Sequence, residues 1–189
     1  MKEVLIKEYN NLENLRIEPK KDDFLYNIHF IGGAFCEIRG AESTNFRIEF
    51  YDKSTNKFLH HYDITNNMWT RTNTKYFIDY LIKIKNRDTD ELLHECEYNA
   101  KGKRVMICFD SKAIGDTLAW FPYAEEFRKK NKCKLIVSTF WNDWFKETYP
   151  NITFVEPGEE QYDLYAMYEV GWHYDEDGEI DYNRIPSDF

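Results

Sequence analysis

The stretch from Lys103 to Trp120, KRVMICFDSKAIGDTLAW, constrains this chain more than any other. Val105 to Phe109 is an unbroken apolar run with β-branched and aromatic members. Such a run reads as a strand buried on both faces, the habit of a central parallel strand. A polar turn follows, Asp110-Ser111-Lys112, then Gly115-Asp116, then Leu118, Phe121, Ala124 and Phe127 at helical spacing. Strand, Gly-containing turn and helix form the first half of a βαβ unit, and open α/β sheets bind ligands beyond the carboxyl ends of such strands. A helix start directs free N–H groups and a partial positive charge into that crevice, which suits an anion such as a phosphate. Neither GxGxxG nor GxxxxGK[ST] occurs here, so neither standard phosphate-loop fingerprint is met. Asp116 reads either as a helix cap or as a carboxylate offered to a ligand. Gly115 reads as the residue that makes the turn. If the helix begins at Asp116, Pro122 lies just beyond its first turn, where it would kink the helix or remove a hydrogen bond.

The remainder divides around NAKGK at 99–103, a small, polar, Gly-containing boundary. Residues 1–100 read as a β-rich N-terminal domain and 101–189 as a partial Rossmann-like α/β part. In the first, residues 1–22 are mixed, with a strand start at Val4-Leu5-Ile6 and a turn around Pro19, and the sequence does not decide whether they dock as an arm. FLYNIHFI, AFCEIRG, NFRIEFYD, KFLHHYDI, KYFIDYLIKIK and ELLHECEY read as strands of an antiparallel barrel or sandwich. In NFRIEFYD, Phe46, Ile48 and Phe50 share one face, and Asp52 to Asn56 turns the chain back. Trp69 is expected in the core. In the second part, CKLIVSTF and ITFVE read as further strands, Trp141 to Tyr149 as a short helix stopped by Pro150, and YDLYAMYEVGW as a fourth strand. The acidic tail reads as a hairpin around Asp177-Gly178, since Gly178 comes too early for an EF-hand loop.

Composition narrows the function classes. The net charge is −9 with no basic block, which argues against nucleic acid as a partner. No apolar run reaches the ~18–20 residues of a membrane span, and Met1 is not followed by the apolar segment of a signal peptide. The four cysteines lack CxxC spacing and read as free thiols in a reducing cytoplasm. His60-His61 invites a metal, but adjacent strand residues point to opposite faces, so no metal and no cofactor is expected.

DSKAIGDTLAWFPYAEEFRKK, CKLIVSTFWNDWFKETYPNITFVEPG and YDLYAMYEVGW together resemble the N-terminal part of bacterial autotransporter heptosyltransferases, a subgroup of glycosyltransferase family nine. FIGGAFCEIRG, FRIEFYD and NNMWTRTNTKYFIDYLIKI resemble the extra N-terminal domain of the same subgroup. The resemblance implies a GT-B enzyme with two Rossmann-like lobes, of which this chain would hold the β domain and an incomplete, acceptor-side first lobe. It implies transfer of a heptose or other sugar from a nucleotide sugar resembling ADP-heptose to hydroxyls of an autotransporter-type protein, in the bacterial cytoplasm. It implies Asp116 as general base, although a helix start stabilises the charged carboxylate and weakens its pull on a proton. Ser111, Lys112, Gly115 and Thr117 would line the same turn and contact substrate. The donor-binding lobe is expected elsewhere, in a longer chain or a second one, and homo-oligomers are expected through the β domain. The competing expectation is a non-catalytic module for protein binding or assembly.

Overall fold

The computed structural model describes residues 6–8 and 24–186. Most of residues 1–22, for which a docking arm is one open reading, lies outside the described residues. Two compact units are present: one contains Ala34–Thr72 and Ile78–Tyr98 and ends its first segment at His29, and the other contains Phe30–Gly33, Asn73–Phe77 and the chain from Asn99 onward.

The first unit is built from hairpins. β4 (Asn45–Asp52) lies between β5 (Lys57–Thr65) and β7 (Tyr80–Asn86), and β8 (Leu92–Glu97) follows β7, giving an antiparallel sheet of order β5-β4-β7-β8. Strict alternation drives it: Phe46, Ile48 and Phe50 of β4 and Ile82 and Ile84 of β7 are all buried on one face. On the other face Arg47 forks onto Asp63 at 2.9 and 3.0 Å, and Lys85 reaches Glu49 at 3.1 Å. The β4–β5 turn is held by Asp52, whose carboxylate accepts from the Ser54 N–H at 2.9 Å and the Thr55 hydroxyl at 2.9 Å. β2 (Phe24–Ile31), β3 (Phe35–Gly40) and β6 (Met68–Arg71) pair antiparallel, and β1 (Ile6–Glu8) runs parallel to β2.

Trp69 is not in the core. It is 60% exposed and stacks on Phe35, with ring centroids 5.6 Å apart, while Phe35 stacks on His29 at 4.3 Å and the Arg71 guanidinium lies 5.4 Å from the Phe35 centroid. Trp69 lies opposite Glu37 on the outer face of the β3–β6 pair, while its neighbour Thr70 on the other face is buried. Burial first, and Arg71 second, push the His29 imidazole down to about 4.

The second unit holds the parallel strands. β9 (Arg104–Phe109) leads into α1 (Ile114–Asn131), then β10 (Lys134–Ser138), the single turn α2 (Asn142–Phe145), β11 (Thr153–Val155) and β12 (Leu164–Val170). β9 lies between β10 and β12, β11 extends the edge beyond β10, and all three pairings are parallel. α1 is anchored by Phe121, which is fully buried and stacks on Phe145 at 4.1 Å and on Phe109 at 5.8 Å. Asn142 ties α2 to its surroundings, accepting from the Thr139 N–H at 3.0 Å and donating to the Val155 carbonyl at 2.8 Å.

This architecture corrects the expected fold class of a β barrel or sandwich followed by a GT-B Rossmann-like lobe. Strands dominate, in one mixed and one antiparallel sheet. Among the described residues α1 is the only long helix. A doubly wound lobe needs helices on both faces of a parallel sheet. Here α2 has four residues, and β11 joins β12 through 156–163, a segment with no helix. That link is shorter than the roughly dozen residues a helical crossover takes. β2 runs parallel to β12 through Phe30 and Ile31 but antiparallel to β3, which makes the sheet mixed. The β5-β4-β7-β8 sheet keeps two free ends rather than closing into a barrel.

Candidate functional site

The site begins where β9 ends. Phe109 is the last strand residue and α1 starts at Ile114, so Asp110 to Ala113 form the connecting turn. Ala113 is the N-cap, with extended backbone and no side-chain cap. Asp116 is therefore the third residue of the helix and not its cap. The Ser111 hydroxyl donates to Asp116 Oδ2 at 2.9 Å, and Ser111 Oγ accepts from the Ala113 N–H at 3.1 Å. One serine thus fixes both the turn and the carboxylate. The carboxylate sits within the first turn, where free N–H groups and the helix dipole favour a negative charge.

The other expected contacts differ in their exposure. Lys112 is exposed, with its ammonium 5.3 Å from the Phe140 ring centroid and its carbonyl accepting from Trp141 Nε1 at 3.2 Å. Gly115 is not a turn glycine. It lies inside α1 with φ in the ordinary range, and open space surrounds the place a Cβ would take. A glycine there costs about 1 kcal/mol of helix propensity and leaves the first turn bare. Thr117 is fully buried, and its Oγ1 has no hydrogen-bond partner among the described residues. Ser111 and Asp116 come together; Lys112 points to Phe140, and Thr117 is closed off in the interior.

Beside the turn, within the same unit, lies a cavity of about 590 Å³. α1 contributes Ala119, Trp120, Tyr123, Ala124 and Phe127; the ends of β9 and β12 contribute Phe109, Tyr168 and Glu169; Tyr76, Phe77, Trp172 and Arg184 complete the wall. Phe77 meets Phe127 edge-on at 5.3 Å and Tyr168 at 5.8 Å. The charged end is an ion pair, Arg184 Nη1 to Glu169 Oε2 at 2.5 Å, with Arg184 Nε 3.5 Å from Asp181. Partial burial and the nearby Glu169 hold the Asp110 carboxyl above the usual carboxylate range, against the opposing pull of His173 and Arg184. Burial pushes the Cys108 thiol, one strand position before Phe109, up to about 12, which keeps it protonated and inert. The sequence reading missed this cavity. Its walls come from 76–77, from α1 and from 168–186, and no local spacing links them; the density of Tyr, Phe and Trp was the available signal.

No family model matches the chain. It is 31% identical over 145 residues to the autotransporter heptosyltransferase BAHTCr of Citrobacter rodentium, covering 75% of this chain and 34% of that protein. It is 32% identical over 124 residues to the autotransporter heptosyltransferase TibC of Escherichia coli O78:H11, covering 64% and 30%. The TibC crystal structure, described as a dodecameric iron-containing heptosyltransferase in complex with ADP-D-beta-D-heptose, matches with a TM-score of 0.70 at 25% identity, over 90% of this chain and 42% of that one. BimC of Burkholderia thailandensis, an inactive autotransporter heptosyltransferase, is 33% identical over 100 residues, or 51% of this chain and 23% of that protein. The chain thus spans about a third of the length of the curated relatives it matches. In sequence and in fold it is similar to the N-terminal part of an autotransporter heptosyltransferase. Among the described residues no group of three or more His, Cys, Asp or Glu side chains is placed to hold a metal ion.

Proposed function

We propose that this chain supplies the acceptor side of a heptosyltransferase, which moves a heptose from a nucleotide sugar such as ADP-heptose to a hydroxyl of an autotransporter-type protein. The observation that carries this is the Ser111–Asp116 pair at the start of α1, beyond the carboxyl end of β9, in a chain similar to heptosyltransferases. The acceptor hydroxyl attacks the anomeric carbon; the new C–O bond forms as the bond to the diphosphate breaks, and the hydroxyl proton passes to Asp116. Ser111 donates to Oδ2, and in this proposal the other oxygen, Oδ1, takes that proton. The groups that neutralise the departing diphosphate belong to the part of such an enzyme that this chain does not span. In the same proposal, copies of the chain associate through the first unit, as the dodecameric TibC suggests.

The test is heptose transfer from ADP-heptose to an autotransporter fragment by the native protein and by Asp116→Asn. The variant is expected to lose at least about 100-fold in rate, the scale of general base catalysis, with its circular dichroism unchanged. Equal rates would reduce Asp116 to a residue that orders the turn. The likeness to the inactive BimC favours a second reading, a non-catalytic assembly module. Absence of transfer by the chain in the presence of the donor-binding part that it does not span would select it.

A further inference from the structure

The cavity beside the Asp116 turn has a chemistry that discriminates between the two substrates of such a transfer. We infer that it seats apolar side chains of the acceptor polypeptide, next to the hydroxyl that receives the sugar, and does not hold the nucleotide sugar; this rests on the acceptor-side reading above. The walls are rings, among them Phe77, Phe109, Phe127 and Tyr168. The charged lining residues, Glu169 and Arg184, are paired with each other. Asp110 and Asp181 add negative charge near that end. A nucleoside diphosphate sugar would bring two phosphates towards a surplus of carboxylates, with the one lining cation, Arg184, already paired. A lysine or arginine side chain would give up its water against a wall made mainly of rings, where the lining carboxylate, Glu169, is already paired with Arg184. An apolar side chain meets neither cost and gains from leaving water. The volume falls in the range of ligand pockets and exceeds the size of one side chain. The rim carries exposed rings, with Tyr123 73% and Trp172 52% exposed, as partner-binding surfaces do.

Position ties the cavity to the chemistry. Ala119 lines it, and Ala119 lies three residues after Asp116 on α1, so the two are neighbours on one helix face about 5 Å apart. A polypeptide with its hydroxyl at Asp116 reaches the cavity with a side chain one or two residues away.

The experiment is calorimetric titration of this chain with three synthetic peptides. Each carries one serine flanked by leucine, by asparagine or by lysine, and each is titrated with and without ADP-heptose. The leucine peptide is expected to bind at least tenfold more tightly than the other two, and ADP-heptose is expected not to displace it. Ala119→Trp, which fills the cavity from an exposed helix position, is expected to weaken the leucine peptide at least tenfold. If that variant fails to fold by circular dichroism, Trp172→Ala, which removes an exposed rim ring, is expected to weaken it several-fold. Equal affinity for the three peptides, displacement by ADP-heptose, or unchanged binding in a folded variant would overturn the inference. The two proposals fail separately. Peptide selectivity in a protein that transfers no heptose would sink the transferase reading alone. Transfer lost in Asp116→Asn, with no preference for leucine and no effect of Ala119→Trp, would sink the cavity assignment alone.

Discussion

Thr117 is the residue with the most to lose from its position. It is fully buried on α1, one residue after Asp116, and its hydroxyl has no partner among the described residues. A buried hydroxyl without a partner has surrendered its water for nothing, at a cost of about 1–3 kcal/mol. Valine has nearly the same shape without the hydroxyl. Thr117→Val is therefore expected to raise the urea midpoint, stabilising the fold by about 1 kcal/mol. A lowered midpoint would show that the hydroxyl has a partner in solution. Ser111 presents the opposite case. Its hydroxyl donates to Asp116 while its oxygen accepts from Ala113, so both of its roles are filled. The resemblance named both residues as substrate contacts; the structure separates them by exposure, because the helix start at Ile114 rotates Thr117 inward.

At the scale of elements, α1 decides whether the site exists. It carries Asp116 on its first turn and most of one cavity wall. Its sequence is a poor free helix, with Gly115 near the start and Pro122 inside. Pro122 has no N–H, so the Leu118 carbonyl loses its intrahelical partner on the exposed side of the helix. Tertiary contacts must compensate. Arg128 forks onto Glu125 at 2.7 and 2.8 Å in the last turns, but the main anchor is Phe121 in its stack with Phe109, Phe145 and Phe154. Phe121→Ala is expected to cost about 3–5 kcal/mol in chemical denaturation, the range for emptying a buried aromatic site. A loss below about 1 kcal/mol would mean that the stack does not hold the helix.

For the whole molecule, the arrangement of exposed apolar residues in the first unit matters most. Phe58 lies on β5, Met68 and Trp69 on β6, and Leu92 on β8; all are exposed, and all three strands end their sheets. Edge strands with exposed apolar side chains are templates for pairing with another chain. This is the physical support for self-association through the first unit. Light scattering is expected to give a mass several times that of one chain, and Trp69→Lys, which places a charge on such an edge, is expected to lower it. A monomer in both would remove the oligomer from the proposal.

The sequence by itself determined the local elements. Alternation in NFRIEFYD placed Phe46, Ile48 and Phe50 inside, and the apolar run 105–109 followed by a polar turn announced β9 and α1, because burial periodicity is written into consecutive residues. Only the tertiary structure decided the rest. β2 changes from antiparallel to parallel neighbours within one strand, and Trp69 is exposed because it falls on the outer face of β6, opposite the buried Thr70. The cavity gathers side chains from positions 76 to 186, and Arg184 finds Glu169 fifteen residues away. Such contacts depend on which strands lie side by side, and hydrophobic periodicity gives each strand a face without naming its neighbour.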